Sequence, residues 1–184
     1  MLSPPPEIES PRLRIRLVES ADLADLLEVN GDEEVTRFLP YATWRSMDDA
    51  GAWLARMSGM HAAGTALQFV IVEKASGRAI GTLLLFRHDE ASARAEIGYV
   101  MGRAQWGRGF TREALKALIG YAFGTAGLNR IEANVDPDNV ASNGLLLRLG
   151  FVLEGRLREN WVTKGKAGDT HVYGLLRRDW VAME

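Results

Sequence analysis

The stretch Trp106-Gly107-Arg108-Gly109-Phe110-Thr111 separates two different periodicities. Before it, residues 94–101 (Arg-Ala-Glu-Ile-Gly-Tyr-Val-Met) read as a strand. After it, Ala114, Leu115, Leu118, Ile119, Ala122 and Phe123 recur on one 3.6-residue face, the pattern of an amphipathic helix that Gly127 stops. A glycine-rich turn at a helix start has no Cβ in the way, so backbone N–H groups approach a ligand closely. The first turn of the helix adds free donors and a partial positive charge. Together these favour a phosphate or pyrophosphate. The plainer alternative is a tight turn that needs glycine only for its positive φ. Two nucleotide motifs are excluded by residue type. No lysine follows Gly109, as a P-loop requires, and Arg112 stands where a dinucleotide fingerprint has its third glycine. What precedes the turn is also wrong for a βαβ nucleotide fold.

Working outward, residues 68–73 (Gln-Phe-Val-Ile-Val-Glu) and 79–86 read as two more strands, joined by a Ser76-Gly77 turn. The links among 68–73, 79–86 and 94–101 are too short for parallel crossovers, so the three predict an antiparallel meander. Nearer the N-terminus, Leu13, Ile15 and Leu17 alternate with Arg14 and Arg16 as a first strand. Ser20 or Asp22 caps a helix carrying Leu23, Leu26 and Leu27, and Asp48-Asp49 opens another with Trp53, Leu54 and Met57. Beyond the central helix, Ile131, Ala133 and Val135 alternate as a strand and Asp136-Pro137 turns the chain. Asp138 or Asn139 caps a short helix through Leu149, and residues 151–160 and 170–177 read as the last two strands. Residues 1–11 hold four of the six prolines and are expected as an extended arm, with 12–184 as one domain.

Composition narrows the chemistry. The 184 residues are 47% hydrophobic and 25% charged, with a formal net charge of −2, which offers no bulk attraction to nucleic acid or an anionic membrane. There is no cysteine, so a disulfide, a thiolate metal site and a cysteine nucleophile are excluded. His61, His88 and His171 lie far apart without ligand spacing, and no metal is expected. The N-terminus lacks the basic and apolar regions of a secretory signal, and no apolar run approaches a bilayer's thickness; the expected compartment is the cytoplasm.

Three pieces, in this order, resemble the GNAT superfamily of N-acetyltransferases. Ala95-Glu96-Ile97-Gly98-Tyr99 resembles its fourth strand. Trp106 to Thr111 with Glu113-Ala114-Leu115 resembles its pyrophosphate loop and following helix. Asn139-x-x-Ser142, Leu149-Gly150-Phe151 and Glu154-Gly155 resemble the elements after its cofactor cleft, most like the Rim-type branch that acetylates ribosomal-protein N-termini. The likeness runs from about residue 12 to 178. It implies an α/β (α+β) fold with a mixed, mostly antiparallel sheet of about seven strands flanked by helices. It also implies an acetyl-CoA-dependent acetyltransferase, monomeric or homodimeric, acting on an amine. The superfamily loop reads Gln/Arg-x-x-Gly-x-Gly/Ala; here Trp106 takes the first place and Thr111 the last. Many relatives carry a tyrosine seven residues after the asparagine as proton donor to the departing thiolate, and here that place is Leu146.

By this resemblance the backbone of Gly107, Arg108, Gly109, Phe110, Thr111 and Arg112 grips the pyrophosphate, beside Trp106. Arg108 or Arg112 either adds charge or is solvated surface. A backbone N–H at Val100 or Met101 faces the oxyanion, Asn139 contacts the pantetheine arm, and the Ser142 hydroxyl lies near the sulfur, with capping of the short helix as the other role for the last two. Glu96 is the candidate base, against the alternative of a solvated strand face, with Glu159 behind it. An α-amine of pKa ~8 is about one-tenth neutral at pH 7, whereas a lysine amine near 10.4 is neutral about once in a few thousand. One ordinary carboxylate therefore suits a peptide or protein N-terminus. The alternatives are a small-molecule amine, such as a polyamine or antibiotic, and an acetyl-CoA-binding protein without turnover. Trp44, Trp53 and Trp161 are expected in the core or cleft wall, and Arg156, Arg158, Lys164 and Lys166 either border the acceptor entrance or form a solvated hairpin.

Overall fold

The computed structural model describes residues 4, 5 and 7–181. Its strands are β1 (Ile8–Glu9), β2 (Leu13–Leu17), β3 (Ala66–Glu73), β4 (Ala79–Asp89), β5 (Arg94–Met101), β6 (Arg130–Val135), β7 (Val152–Thr163) and β8 (Lys166–Leu176). Its helices are α1 (Leu23–Asn30), α2 (Glu33–Thr36), α3 (Met47–Ala62), α4 (Phe110–Gly124), α5 (Val140–Arg148) and α6 (Arg177–Val181). The eight strands form one mixed sheet in the order β1-β2-β3-β4-β5-β6-β8-β7. Every pair is antiparallel except β5 and β6, which the crossover through α4 makes parallel.

Strand β3 shows why the sheet is covered on both faces. Its run is buried almost throughout, and its side chains alternate between two cores. Leu67, Phe69 and Ile71 point to the α4 side, where they meet Leu115, Leu118 and Ile119. Val70 and Val72 point the other way, to Leu26, Trp44, Trp53 and Met57 from around α1 and α3. The rings of Trp44 and Trp53 lie 5.3 Å apart. Two capping boxes fix the starts on that side: Glu19 with Asp22, and Ser46 with Asp49.

The expected meander is present, as is the long helix, which begins at Phe110 directly after Gly109. Eight strands stand where about seven were expected. The additional one lies in the proline-rich arm, where Ile8 pairs with Ile15 and Glu9 with Arg14, a pairing too short to leave a period. Residues 1–3 and 6 of that arm, and 182–184 at the other end, lie outside the described residues. The last hairpin is longer than its sequence pattern: β7 runs to Thr163 and β8 starts at Lys166, through strand residues that are largely exposed and carry no clean alternation. Its tip reaches across to α2, where Lys164 Nζ donates to the Thr36 carbonyl at 2.8 Å.

Leu118, fully buried between α4 and the sheet, is expected to be costly to truncate. Leu118→Ala should lower the unfolding free energy by about 2–5 kcal/mol in urea titration. A loss below 0.5 kcal/mol would contradict the packing described.

Candidate active site

β5 and β6 pair over only three residues, Arg94↔Arg130, Ala95↔Ile131 and Glu96↔Glu132. Beyond Glu96 they part, although β5 continues to Met101 and β6 to Val135. The opening leads into a cleft of about 1730 Å³ whose lining includes Tyr99, Val100, Met101, Ala133, Asn134 and Val135. The ladder with β4 decides which backbone groups face it. Gly102 N–H donates to the Ile80 carbonyl at 2.8 Å, and Val100, two residues earlier and opposite Thr82, is in phase with it. Met101 and Tyr99, out of phase, turn their N–H groups to the open side. Of the two expected oxyanion donors, Met101 therefore presents its N–H to the cleft, and Val100 presents its N–H to β4.

The glycine turn stands at the mouth of this opening. Gly107 and Gly109 have φ of +71° and +79°, so both need the left-handed region, and Gly109 is the N-cap of α4. The N–H groups of the first turn have no intrahelical acceptor. The loop is held from both sides. Trp106 Nε1 donates to the Met101 carbonyl at 2.8 Å, and Arg12 Nη1 donates to the Arg108 carbonyl at 3.0 Å. Burial tends to raise the Glu113 carboxyl in that turn, but hydrogen bonds from Arg12 N and Ser10 Oγ and the Arg12 charge bring it below the usual range. Trp106, Gly107 and Thr111 line the cleft. Phe110 is a core side chain under the Arg12 guanidinium, 4.2 Å from its ring centre, and only its backbone is available to a ligand. The Arg108 guanidinium lies 3.8 Å from Glu73, and the Arg112 side chain is exposed.

On the opposite wall, Asn139 caps α5, its Oδ1 accepting from Ser142 N at 3.2 Å. Ser142, Asn139 and Leu145 line the cleft, while Leu146 is fully buried. Asn143, unnoticed in the sequence, ties α5 to the sheet: its Nδ2 donates to the Asn139 carbonyl at 2.7 Å, and its Oδ1 accepts from the Tyr173 hydroxyl at 2.7 Å.

Glu96 sits at the point where the strands part. Its side chain is only 8% exposed, so the solvated-face alternative does not hold. Burial raises its pKa; Arg87 and Asn134 oppose that, and the neighbouring Glu132 charge reinforces it. Arg87 Nη1 donates to Glu96 Oε2 at 2.7 Å. The irregularity between Phe86 and Asp89 puts Arg87 at φ +51°, and its guanidinium lies 6.0 Å from the centre of the Trp161 ring. Glu159 also lines the cleft, at φ +47° in a break of the β7–β8 register. Arg156, Lys164 and Lys166 border it as well. Arg87, Asn134 and Trp161 come together through bulges and strand pairing, so only Trp161 had a signal in the sequence, as an aromatic in a polar hairpin. Among the described residues, no group of three or more His, Asp or Glu is placed to hold a metal ion. No helix there is long and apolar enough to cross a membrane.

The sheet is thus opened at its one parallel pair, with a glycine-capped helix start at the mouth and a buried carboxylate at the apex. Residues 12–152 match the acetyltransferase (GNAT) domain, and the chain belongs to that family of acetyl-CoA-using enzymes. It is 37% identical over 169 residues to an uncharacterized N-acetyltransferase, p20, of Bacillus licheniformis, covering 92% of this chain and 95% of that one. It is 30% identical over 186 residues to the ribosomal protein uS5-alanine N-acetyltransferase of Escherichia coli, covering 96% and 94%. The solved GCN5-related N-acetyltransferase from Brucella melitensis superposes with a TM-score of 0.89 at 25% identity, covering 100% of this chain and 86% of that one.

Because the folded-state pKa of Glu96 is raised above its unfolded value near 4.3, the folded state binds that proton more tightly. Its stabilising contribution is complete at acid pH and is lost as pH rises through the folded pKa. Glu96→Gln is therefore expected to raise the melting temperature at pH 8, with the gain shrinking toward pH 4, while lowering kcat. Calorimetric scans across that range check the sign; a variant less stable than wild type at pH 8 contradicts it.

Proposed function

We propose that the enzyme moves the acetyl group of acetyl-CoA to the α-amine of a peptide or protein N-terminus in the cytoplasm, by direct attack in a ternary complex. One observation carries this reading: the cleft's buried carboxylate, Glu96, stands where β5 and β6 part. Burial that raises its pKa makes it a better proton acceptor than an exposed carboxylate. It remains a modest base, matched to an α-amine that is already about one-tenth neutral at pH 7.

The chain's own groups divide the work. Backbone N–H groups of residues 107–112 hold the pyrophosphate, since that turn is open, left-handed and at a helix start. The outward-facing backbone edge at Tyr99 and Met101 meets the amides of the pantetheine arm and polarises the thioester carbonyl. Glu96 takes the proton from the attacking amine, directly or through one water. The Ser142 hydroxyl on the far wall attends the sulfur. The donor, when bound, supplies the activated acyl group. The relative that acts on an alanine of ribosomal protein uS5 supports a protein acceptor.

The test is a competition between two peptides, one with a free N-terminus and a blocked lysine, the other with an acetylated N-terminus and a free lysine. At pH 7 the first should be acetylated at least tenfold faster, by mass spectrometry. Faster modification of the second, or of spermidine, would replace this reading with a lysine or small-molecule acceptor.

A further inference from the structure

Tyr99 carries a hydroxyl that the mechanism above leaves without a task. The side chain projects from β5 beyond the point where the strands part, packs against the α4-side core, and lines the cleft. Its oxygen is buried and has no hydrogen-bond partner among the described residues. A buried polar atom left unpaired is costly, so its persistence calls for a partner that arrives. The polar groups around it are few. The Tyr173 hydroxyl is committed, donating to Asn143 Oδ1 at 2.7 Å, and that same oxygen is 2.8 Å from His171 Nδ1. The remaining neighbour is the Ser142 hydroxyl.

We propose that Tyr99 is a positioning residue for the leaving group: once the donor is bound, its O–H, unpaired in the free protein, donates to Ser142 Oγ, which turns the Ser142 proton onto the sulfur. This rests on the acetyl-transfer reading and deepens it. Leu146 leaves α5 without a phenol, and β5 supplies one from the opposite wall. The direction of the relay follows from acidity, because a phenol is a stronger donor than an alcohol, and the alcohol oxygen is the better acceptor. Each donor in such a chain strengthens the next. Burial pushes the Tyr99 phenol up to about 12, with the Ser142 hydroxyl opposing and the Tyr173 phenol reinforcing the shift. Tyr99 therefore stays protonated across the working pH, and giving its proton outright to the departing alkyl thiolate, whose thiol is the stronger acid, is uphill. In the step itself the amine nitrogen bonds to the acetyl carbon and the C–S bond breaks. The electron pair goes to sulfur, and the amine proton goes to Glu96. The thiolate is held by the Ser142 hydrogen bond and is protonated from solvent, and no proton leaves Tyr99.

Coenzyme A itself is the probe. Its bound thiol, followed by thiolate ultraviolet absorbance against pH, should titrate about one unit below the free thiol in the wild-type protein. Tyr99→Phe and Ser142→Ala should each restore the free value, and the double variant should equal either single one. Tyr99→Phe keeps the ring and removes a hydroxyl that is unpaired in the free protein, so its melting temperature without ligand should stay or rise, and kcat should fall about tenfold. A bound thiol that titrates like free coenzyme A, additive single effects, or a Tyr99→Phe variant that loses stability would each overturn the relay. A shifted thiol in a protein that acetylates no amine would leave the relay standing and remove the acetyl-transfer reading instead.

Discussion

The parallel pairing of β5 with β6 ends after three residues, and the site depends on that divergence. Strand pairing normally satisfies backbone N–H and C=O groups on both edges of an interior strand. Here β5 keeps its β4 edge to Met101 but loses its β6 edge after Glu96. The result is a row of polar backbone in the middle of a sheet, facing a second strand too distant to answer it. One carbonyl, that of Met101, is taken by Trp106. The rest are left open to the cleft. The crossover through α4 is what makes the opening useful, because it brings a glycine-capped helix start to the end of the same strand.

The divergence also sets the electrostatics of Glu96. A carboxylate between two paired strands would be sealed in; one on an open edge would be solvated. At the apex it is nearly buried yet still borders the cleft, which raises its pKa without isolating it from an acceptor. Arg87 limits the shift through an ion pair that a half-exposed guanidinium can release. That combination costs the fold stability at neutral pH, and under the proposed mechanism it is what fits Glu96 to accept a proton.

Much of this was legible in the chain before any coordinates. The β3–β4–β5 meander and α4 follow from periods of two and 3.6 flanked by glycines, and the loop at 106–111 follows from the change of period itself. Two kinds of feature were not legible. Short pieces, the two-residue β1 and the four-residue α2, lack the length to express a period. Nonlocal juxtapositions depend on register: the Phe86/Asp89 irregularity aims Arg87 at Glu96, and the splay places Tyr99 opposite Ser142. Tyr99 did leave a trace, since it alternates with Ala95, Ile97 and Met101 on a face that is otherwise apolar. A hydroxyl at such a position raises the question of its partner. Which of the two expected N–H groups, Val100 or Met101, faces the cleft could be read only once the β4 ladder fixed the phase of the backbone.

The most direct test of the central claim is a crystal structure of the protein with acetyl-CoA. Pyrophosphate oxygens are expected on the N–H groups of residues 107–112, the pantetheine amides along the free edge at Tyr99 and Met101, and the sulfur beside Ser142 with Glu96 beyond the acetyl carbon. A donor bound with its pyrophosphate away from the Gly107–Gly109 turn, or outside the gap between β5 and β6, would contradict it.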